Sequence, residues 1–290
     1  MSNLQIVKKV ISPVKLLENS PYDKITSNEL TIKLNKINCN CNGHIKKIEH
    51  KGLFIHFHLL EEISDKIRIS PTTHMLFAMI LEKFNSTKSK TIAIRFDEYM
   101  LKRGLKDRKF AREQIKYNLL LLRMFTIEYQ SKKEFKGKTC SLKGEGVIRS
   151  YEIKRELYTI TLENTFHEIL KNTSKFIYLP KIAYKIDPNC NPYAWNLITK
   201  IMEHKAMNAK KSNLNCLSVK TLVEACPHLK LETKHKGQSI IKPIERDLNY
   251  FKELFSWSYK KRNNIQPVSN RNSTDFSQWR ELDVIFEWKK

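Results

Sequence analysis

The sequence FDEYMLKRGLKDRKFAREQIKYNLLLLRMFTIEYQ, residues 96–130, contains start and stop signals for two consecutive helices. Asp97 is a good N-cap for a short helix that ends at Gly104, because glycine readily adopts the left-handed backbone found at helix ends. Three residues later Asp107 begins a longer helix, which runs to residue 124 and precedes a strand at 125–130. Two helices joined by so short a turn are typical of a helix-turn-helix.

The flanking segments supply the remaining parts of a winged helix. On the N-terminal side, Ser70 as N-cap and Pro71 predict the start of another helix, and a strand follows at 91–96. On the C-terminal side, the polar, basic segment 131–156 leads to a strand at 157–162. The order predicts a winged helix whose wing is the polar segment between its last two strands.

The same order of elements recurs in the C-terminal half of the chain. The predicted elements are helices at 191–210, 218–227 and 240–255 and strands at 255–260 and 282–288. Ser218 is the expected N-cap of the short helix. Pro243 is compatible with the third helix only in its first turn, because proline lacks the N–H that later turns require.

These patterns predict an α+β protein with two tandem winged-helix (helix-turn-helix) domains, at 70–172 and 173–290. Residues 1–69 are expected to be a small N-terminal extension. Within it the run ELTIKLNKI at 29–37 alternates like a strand, and Lys51-Gly52 before the alternating run to residue 60 indicates a β-hairpin.

The charge of the chain points to a polyanionic partner. Its 53 Lys and Arg residues outnumber 30 Asp and Glu residues, which gives a formal net charge of +23. Such a chain is attracted to nucleic acid, because each phosphate contact releases condensed counterions. The sequence contains no apolar run long enough to span a bilayer and no secretory signal, so we expect a cytoplasmic protein without a membrane partner.

The long helix of the first unit is predicted to contact DNA. Phe110, Ile115, Leu119 and Leu122 are expected on its inward side. Lys109, Arg112, Lys116 and Arg123 share another side, because their spacings are close to whole turns. We expect Arg112 to contact a guanine edge, Gln114 to contact adenine, and the lysines to contact phosphates.

The third helix of the second unit has a similar division. Ile241, Ile244, Leu248 and Phe251 are expected inside, and the predicted DNA contacts are Gln238, Ser239, Lys242, Arg246 and Asn249. The wings add further cations. In the first unit these are Lys132, Lys133, Lys136, Lys138 and Arg149, and in the second Lys260, Lys261, Arg262 and Arg271.

The stretch quoted above, together with KFIYLPKIAYKIDPNCNPYAWNLITKIMEH at 175–204, resembles the two winged-helix units of theta-type plasmid replication initiators. The resemblance covers about residues 70–290. It implies binding to direct repeats at a replication origin, with base contacts from the third helix of each unit. It further implies a homodimer that represses its own promoter and a monomer that initiates replication. The implied partners are host replication initiator and helicase-loading proteins, and no catalysis or cofactor is implied.

Two other functions fit parts of the sequence. His56 and His58 flank a phenylalanine on a strand, as in the metal site of rolling-circle nickases, and Tyr99 would be the nucleophile. Tyr99 falls within the helix-turn-helix, however, where a packing role is favoured. The second alternative is a transcription regulator with the same fold.

Cys39, Cys41 and His44 lack a matching second pair of ligands, and the six cysteines are scattered along the chain. We therefore expect free thiols and no metal site.

Overall fold

A computed structural model describes residues 21–26, 48–50, 53–57, 70–130, 141–174, 176–208, 215–226, 237–261 and 276–289. For 26, 48–50, 53–57, 125–130, 141–145, 237–239 and 277 it describes the backbone only. The first unit contains three helices, α1 (Pro71–Thr87), α2 (Phe96–Arg103) and α3 (Arg108–Met124). A strand, β4 (Thr91–Arg95), joins α1 to α2.

Local sequence signals explain most of these helix ends. Pro71 occupies the first turn of α1, and the carboxylate of Asp107 accepts the N–H of Phe110 at 3.0 Å. Gly104 ends α2 with a φ of 65°. An added Cβ there would lie 3.4 Å from Cγ of Lys185 in the second unit, so glycine also allows a close approach.

Ser70 occupies the N-cap position of α1, as predicted, but its hydroxyl bonds to the Thr72 hydroxyl at 2.6 Å and caps no backbone N–H. The predicted Asp97 cap is wrong. Helix α2 begins at Phe96, with Arg95 at the N-cap position, so Asp97 lies in the first turn. Phe96 is buried, and the chain passes directly from β4 into the helix to bury it. Asp97 pairs with Arg108 at 2.9 Å.

The wing of the first unit is a tight hairpin. β7 (Ile148–Lys154) and β8 (Leu157–Leu162) are antiparallel, and a two-residue turn, Arg155–Glu156, connects them. β8 also pairs with β4, which gives the strand order β4-β8-β7. The prediction of a single polar loop at 131–156 is therefore wrong in part, because β7 and β6 (Ser141–Gly146) occupy much of it.

The strand that follows α3 belongs to a different sheet. β5 (Phe125–Gln130) pairs with β6 and with β3 (Leu53–Phe57), and β3 pairs with β2 (Ile48–His50). The N-terminal hairpin is thus present and adds to the first unit. The chain between β5 and β6, which includes Lys132, Lys133, Lys136 and Lys138, lies outside the described residues.

The first unit ends with α4 (Asn164–Lys171). The lead-in to the second unit is strand β9 (Phe176–Pro180), which pairs with β1 (Tyr22–Thr26). The second unit follows. Its helices are α5 (Ala194–Met207), α6 (Val219–Glu224), α7 (Gly237–Asn249) and α8 (Phe276–Arg280), and its strands are β10 (Cys216–Ser218), β11 (Phe255–Lys261) and β12 (Leu282–Trp288).

The sheet order β10-β12-β11 is the same first-third-second order as β4-β8-β7. The predicted α+β fold of two tandem winged helices is therefore confirmed. The predicted domain boundaries, after residues 69 and 172, stay a prediction.

In the second unit, the starts of α6 and α7 can be compared with the sequence predictions. The Ser218 hydroxyl caps α6 by accepting the N–H of Thr221 at 3.1 Å, as predicted. Helix α7 begins earlier and ends earlier than expected, so Pro243 lies in its second turn. Helix α8 buries Trp279. The Trp279 indole N–H donates to the Tyr259 hydroxyl at 2.8 Å.

The two units meet along α2 and the 3₁₀ helix Lys181–Lys185. The buried Arg103 guanidinium donates to the carbonyl oxygen of Tyr184. Next to it Lys102 pairs with Asp23 at 2.8 Å and with Glu82. The buried apolar residues of both units form one contiguous cluster. The units therefore share a core.

Candidate nucleic-acid interface

Helix α3 carries the predicted cations on its exposed side. The side chains of Lys109, Arg112, Lys116 and Arg123, here called the cationic stripe, are all exposed. The opposite side is buried, and its apolar residues include Ala111, Ile115, Leu119 and Leu122. Phe110 was predicted on the inward side, but 51% of it is exposed. That prediction is wrong because Ala111, one residue on, occupies the buried position.

The wing turn is tied to this helix by an ion-pair cluster. Glu156 in the turn accepts from Arg112 at 2.5 Å and from Arg108 at 2.7 Å. Both guanidinium groups lie 5.0 Å from the centroid of the Phe96 ring. Arg112 is thus exposed but already paired, and its predicted guanine contact requires exchange of Glu156 for the base. Glu156 could not be predicted from the sequence, because 44 residues separate it from Arg112.

Gln114 and Tyr99 bond to each other beneath this surface. The Tyr99 hydroxyl donates to Oε1 of the half-buried Gln114 at 2.8 Å, and Tyr99 itself is 0% exposed. Burial raises the pKa of Tyr99. The adenine contact of Gln114 stays a prediction that requires this hydrogen bond to exchange. Tyr99 is inaccessible to a phosphate, so the nickase alternative lacks its nucleophile. The side chain of His56 and all of His58 lie outside the described residues.

One buried polar side chain anchors each third helix to the first helix of its unit. In the first unit Asn118 accepts from the Thr73 hydroxyl at 2.8 Å at the start of α1. In the second unit Asp247 accepts the Tyr193 N–H at 2.7 Å at the start of α5. Both side chains are fully buried. Each residue lies ten positions after the start of its helix, so Asn118 and Asp247 are equivalent.

Burial raises the pKa of Asp247, and hydrogen bonds from the Tyr193 and Ala194 N–H groups and from Arg246 oppose the shift. The equivalence extends to the buried residues on either side. Ile240, Ile244, Leu248 and Phe251 take the places of Ala111, Ile115, Leu119 and Leu122. Three exposed positions also correspond, whereas exposed Arg112 corresponds to the buried Ile241. Lys242 matches Glu113, Arg246 matches Tyr117, and Asn249 matches Leu120.

The second unit exposes most of its predicted contacts that the structure describes. Lys242, Arg246, Asn249 and Lys261 are exposed, and Lys260 is half-buried. Nε of Arg246 donates to Asp247 at 2.9 Å, and Oδ1 of Asn249 accepts from the Trp257 indole at 2.9 Å. Gln238 and Ser239 lie in the first turn of α7, but their side chains are outside the description, as is Arg262.

Among the described residues, no group of His, Cys, Asp and Glu is arranged to hold a metal ion. Cys39, Cys41 and His44 lie outside them. Within the same ranges, every helix is too short or too polar to cross a bilayer.

Comparison with models of protein families and with curated protein sequences gave no match. Solved structures with a similar fold were found. The crystal structure of the Pi initiator protein in complex with iteron DNA aligns with 83% of this chain and 98% of its own, at 12% identity and a TM-score of 0.50. A structure of domains 2 and 3 of RctB aligns with 88% of this chain and 96% of its own, at 10% identity and a TM-score of 0.47.

The likeness to Pi spans both units and nearly the whole of the Pi chain in that crystal structure. The chain therefore has the tandem winged-helix fold of the Pi initiator protein, and its resemblance to theta-type replication initiators is confirmed at the level of the fold.

Proposed function

We propose that this protein binds double-stranded DNA sequence-specifically through α3 and α7 and initiates replication at the origin of a plasmid or other mobile element. The observation that carries the proposal is the repetition of one arrangement. Each unit presents an exposed third helix that bears cations and is fixed from below by an apolar core and a buried polar anchor. Such a helix is the element that winged-helix proteins insert into the major groove.

The charge distribution favours DNA over a neutral partner. Lys109, Lys116 and Arg123 extend along α3, and Lys242 and Arg246 along α7. Contacts between such side chains and phosphates supply affinity and register, and base-edge contacts supply specificity. The similarity of the fold to Pi, which was crystallised with iteron DNA, supports repeated origin sites as the DNA that is bound.

Substitutions on the two helices test the DNA contacts. Arg246→Ala is expected to weaken specific binding by about 1–3 kcal/mol, as for loss of a base contact, and to relax specificity at one position. Arg112→Ala has the same expected effect in the other part of the site. Lys116→Ala is expected to weaken binding to all sequences and to reduce the salt slope by about 1.

Lys171→Ala removes an exposed cation at the end of α4, outside both helix-turn-helix elements; it is the matched control and should bind like the wild type. Footprinting of the protein's own replicon locates the site, and titrations at several salt concentrations give the slopes. Unchanged affinity and specificity in Arg112→Ala and Arg246→Ala would remove the assignment of the two helices.

A replication assay distinguishes the initiator from a transcription regulator. The protein is supplied in trans to a plasmid whose origin is replaced by the footprinted DNA. Replication of that plasmid is expected, together with repression of the protein's own promoter by a homodimer. Host replication initiator and helicase-loading proteins are the proposed partners, in the cytoplasm. Repression without replication would favour the regulator.

The buried Tyr99 supports a non-enzymatic initiator. Incubation with supercoiled origin DNA and Mn²⁺ is expected to give no covalent adduct. An adduct that disappears in Tyr99→Phe would favour the nickase instead.

A further inference from the structure

Helix α3 exposes three large apolar side chains beside its cations. Phe110 is 51% exposed, Tyr117 41% and Leu120 44%. Their spacings of seven and three residues place them on one side of the helix, here called the apolar stripe. Folding does not require this exposure, because the opposite side of α3 is filled by the four buried residues named above.

The apolar and cationic stripes run side by side along the helix. Lys109 and Lys116 each precede an apolar residue, Phe110 and Tyr117, in the chain. Phe110 and Leu120 are ten residues apart, which is about 15 Å of helix and several base pairs of major groove. A ligand that covers both stripes therefore carries negative charge on its rim and apolar groups in its interior.

The major groove of DNA has this pattern. Phosphates line its edges, and the 5-methyl group of thymine is the apolar group that its floor presents to side chains. We propose that Phe110, Tyr117 and Leu120 read thymine methyl groups, so that the first unit selects thymine-rich sequence by apolar contact. The inference rests on the proposed DNA-binding function and specifies how one of the two helices recognises its site.

Charge argues against a second copy of this chain as the occupant of the apolar stripe. A second copy would bring a net charge of +23 against the exposed cations of α3. Like charges in close contact repel each other, whereas a duplex neutralises them. The position of the stripe on the third helix of a winged helix also matches the surface that such proteins place in the groove.

The second unit provides an internal comparison. At the positions equivalent to Tyr117 and Leu120, helix α7 has Arg246 and Asn249, residue types suited to recognise bases by hydrogen bonds and not by apolar contact. Removal of thymine methyl groups is therefore expected to affect the part of the site bound by α3 and to leave the part bound by α7 unaffected.

The test replaces thymines in the footprinted site by deoxyuridine, which lacks only the methyl group. The full-length wild type is expected to lose about fourfold in affinity for each contacted methyl. Phe110→Ala and Leu120→Ala are each expected to bind thymine DNA more weakly than the wild type does. With uracil at the position that the replaced residue contacts, each variant should bind as tightly as the wild type. The ratio of thymine affinity to uracil affinity at that position should therefore be about one. Both residues are exposed, so circular dichroism and melting temperature should stay at the wild-type values.

Two controls separate methyl recognition from a general loss of binding. Lys109→Ala should weaken binding to both DNAs by the same factor. Met207→Ala removes an apolar side chain that is also exposed, at 70%, but lies on α5, and it should change neither affinity.

Equal wild-type affinity for thymine and uracil DNA would overturn the inference and leave DNA binding intact. Absence of any specific duplex binding would instead overturn the proposed function. If Phe110→Ala lowers self-association in sedimentation equilibrium but retains the thymine-to-uracil ratio, the apolar stripe is a self-interface and the inference fails.

Discussion

Asp247 is the residue whose environment most clearly determines its role. Its carboxylate is fully buried and accepts the Tyr193 N–H at 2.7 Å and Nε of Arg246 at 2.9 Å. Asp247→Ala leaves the half-buried Tyr193 N–H without this acceptor, so we expect the free energy of unfolding to fall by about 1–3 kcal/mol. Asp247→Asn, which keeps an acceptor oxygen, should lose less. Denaturant unfolding measures both, with exposed Glu253→Ala as control.

The pH dependence of Asp247 has a definite sign. Burial raises its pKa above the usual 3.8. Because the folded state then binds the proton more tightly than the unfolded state, protonation favours folding. The stability of the wild type relative to Asp247→Asn, which does not titrate, should rise as the pH is lowered through the folded-state pKa towards 3.8. A difference that is independent of pH would contradict this.

Arg155 at the wing turn combines backbone strain with an exposed charge. Its φ of 54° lies in the left-handed region, which costs a residue with a Cβ about 1 kcal/mol. Arg155→Gly is therefore expected to stabilise the fold by about that amount and to weaken DNA binding, because a cation is lost from the wing. Thermal unfolding and a salt titration of binding measure the two effects.

Arg155→Lys keeps both the strain and the charge and should match the wild type in both assays. Stronger DNA binding by the glycine variant would show that the Arg155 side chain is not directed at phosphate.

Glu156 in the wing turn links the wing to helix α3 by ion pairs. Its carboxylate neutralises Arg108 and Arg112 on the surface proposed to face DNA. We expect Glu156→Gln to raise duplex affinity severalfold at low salt, because it removes a negative charge and the ion pairs of Glu156 with Arg108 and Arg112, although Arg108 still pairs with Asp97. The gain should shrink as salt increases. Stability should change little, since exposed ion pairs contribute little.

Glu152→Gln is the matched control for this prediction. Glu152 is an exposed carboxylate on the same hairpin and pairs with Lys154 at 2.9 Å. It should produce a smaller change in affinity. Weaker specific binding by Glu156→Gln would instead mean that Glu156 orients the two arginines for their contacts.

At the scale of the whole molecule, Arg103 links the two winged-helix units. This buried cation from the first unit donates to the Tyr184 carbonyl of the second, and burial lowers its pKa. Arg103→Ala leaves the Tyr184 carbonyl without this donor and opens space between the units. We expect a clear fall in melting temperature, with a smaller fall for Arg103→Met, which refills much of the volume.

Scanning calorimetry measures this coupling directly. The wild type is expected to unfold in one transition, because the two units share one contiguous core. Two well-separated transitions in the wild type would show that the units are thermodynamically independent.

Several features of the fold were predictable because they depend on near neighbours in the chain. The Asp107 and Ser218 caps and the Gly104 helix end each involve contacts within a few residues. Strands β5, β8 and β12 begin and end where their alternating sequences predicted. Strands β6 and β7 were missed because SLKGEG and IRSYEIK are polar, and only pairing with distant strands makes them regular.

Some features of the candidate site were also predictable from the sequence, and others were not. The cationic stripe follows from helical spacing alone. Other features of the site depend on packing or on residues that are distant in sequence. These are the pairing of Glu156 with Arg112, the hydrogen bond between Tyr99 and Gln114, and the burial of Asn118 and Asp247. The exposure of Phe110 also depended on packing, because the adjacent Ala111 is the residue that is buried in the core.

By itself, then, the sequence determined the order of helices and strands, the repetition of the unit and the cationic side of each third helix. These depend on local hydrogen bonds and on the 3.6-residue period of a helix. Only the tertiary structure decided which strands form the wing, which charges are already paired and which apolar side chains remain exposed. Those outcomes depend on contacts across many tens of residues, and no local pattern encodes them.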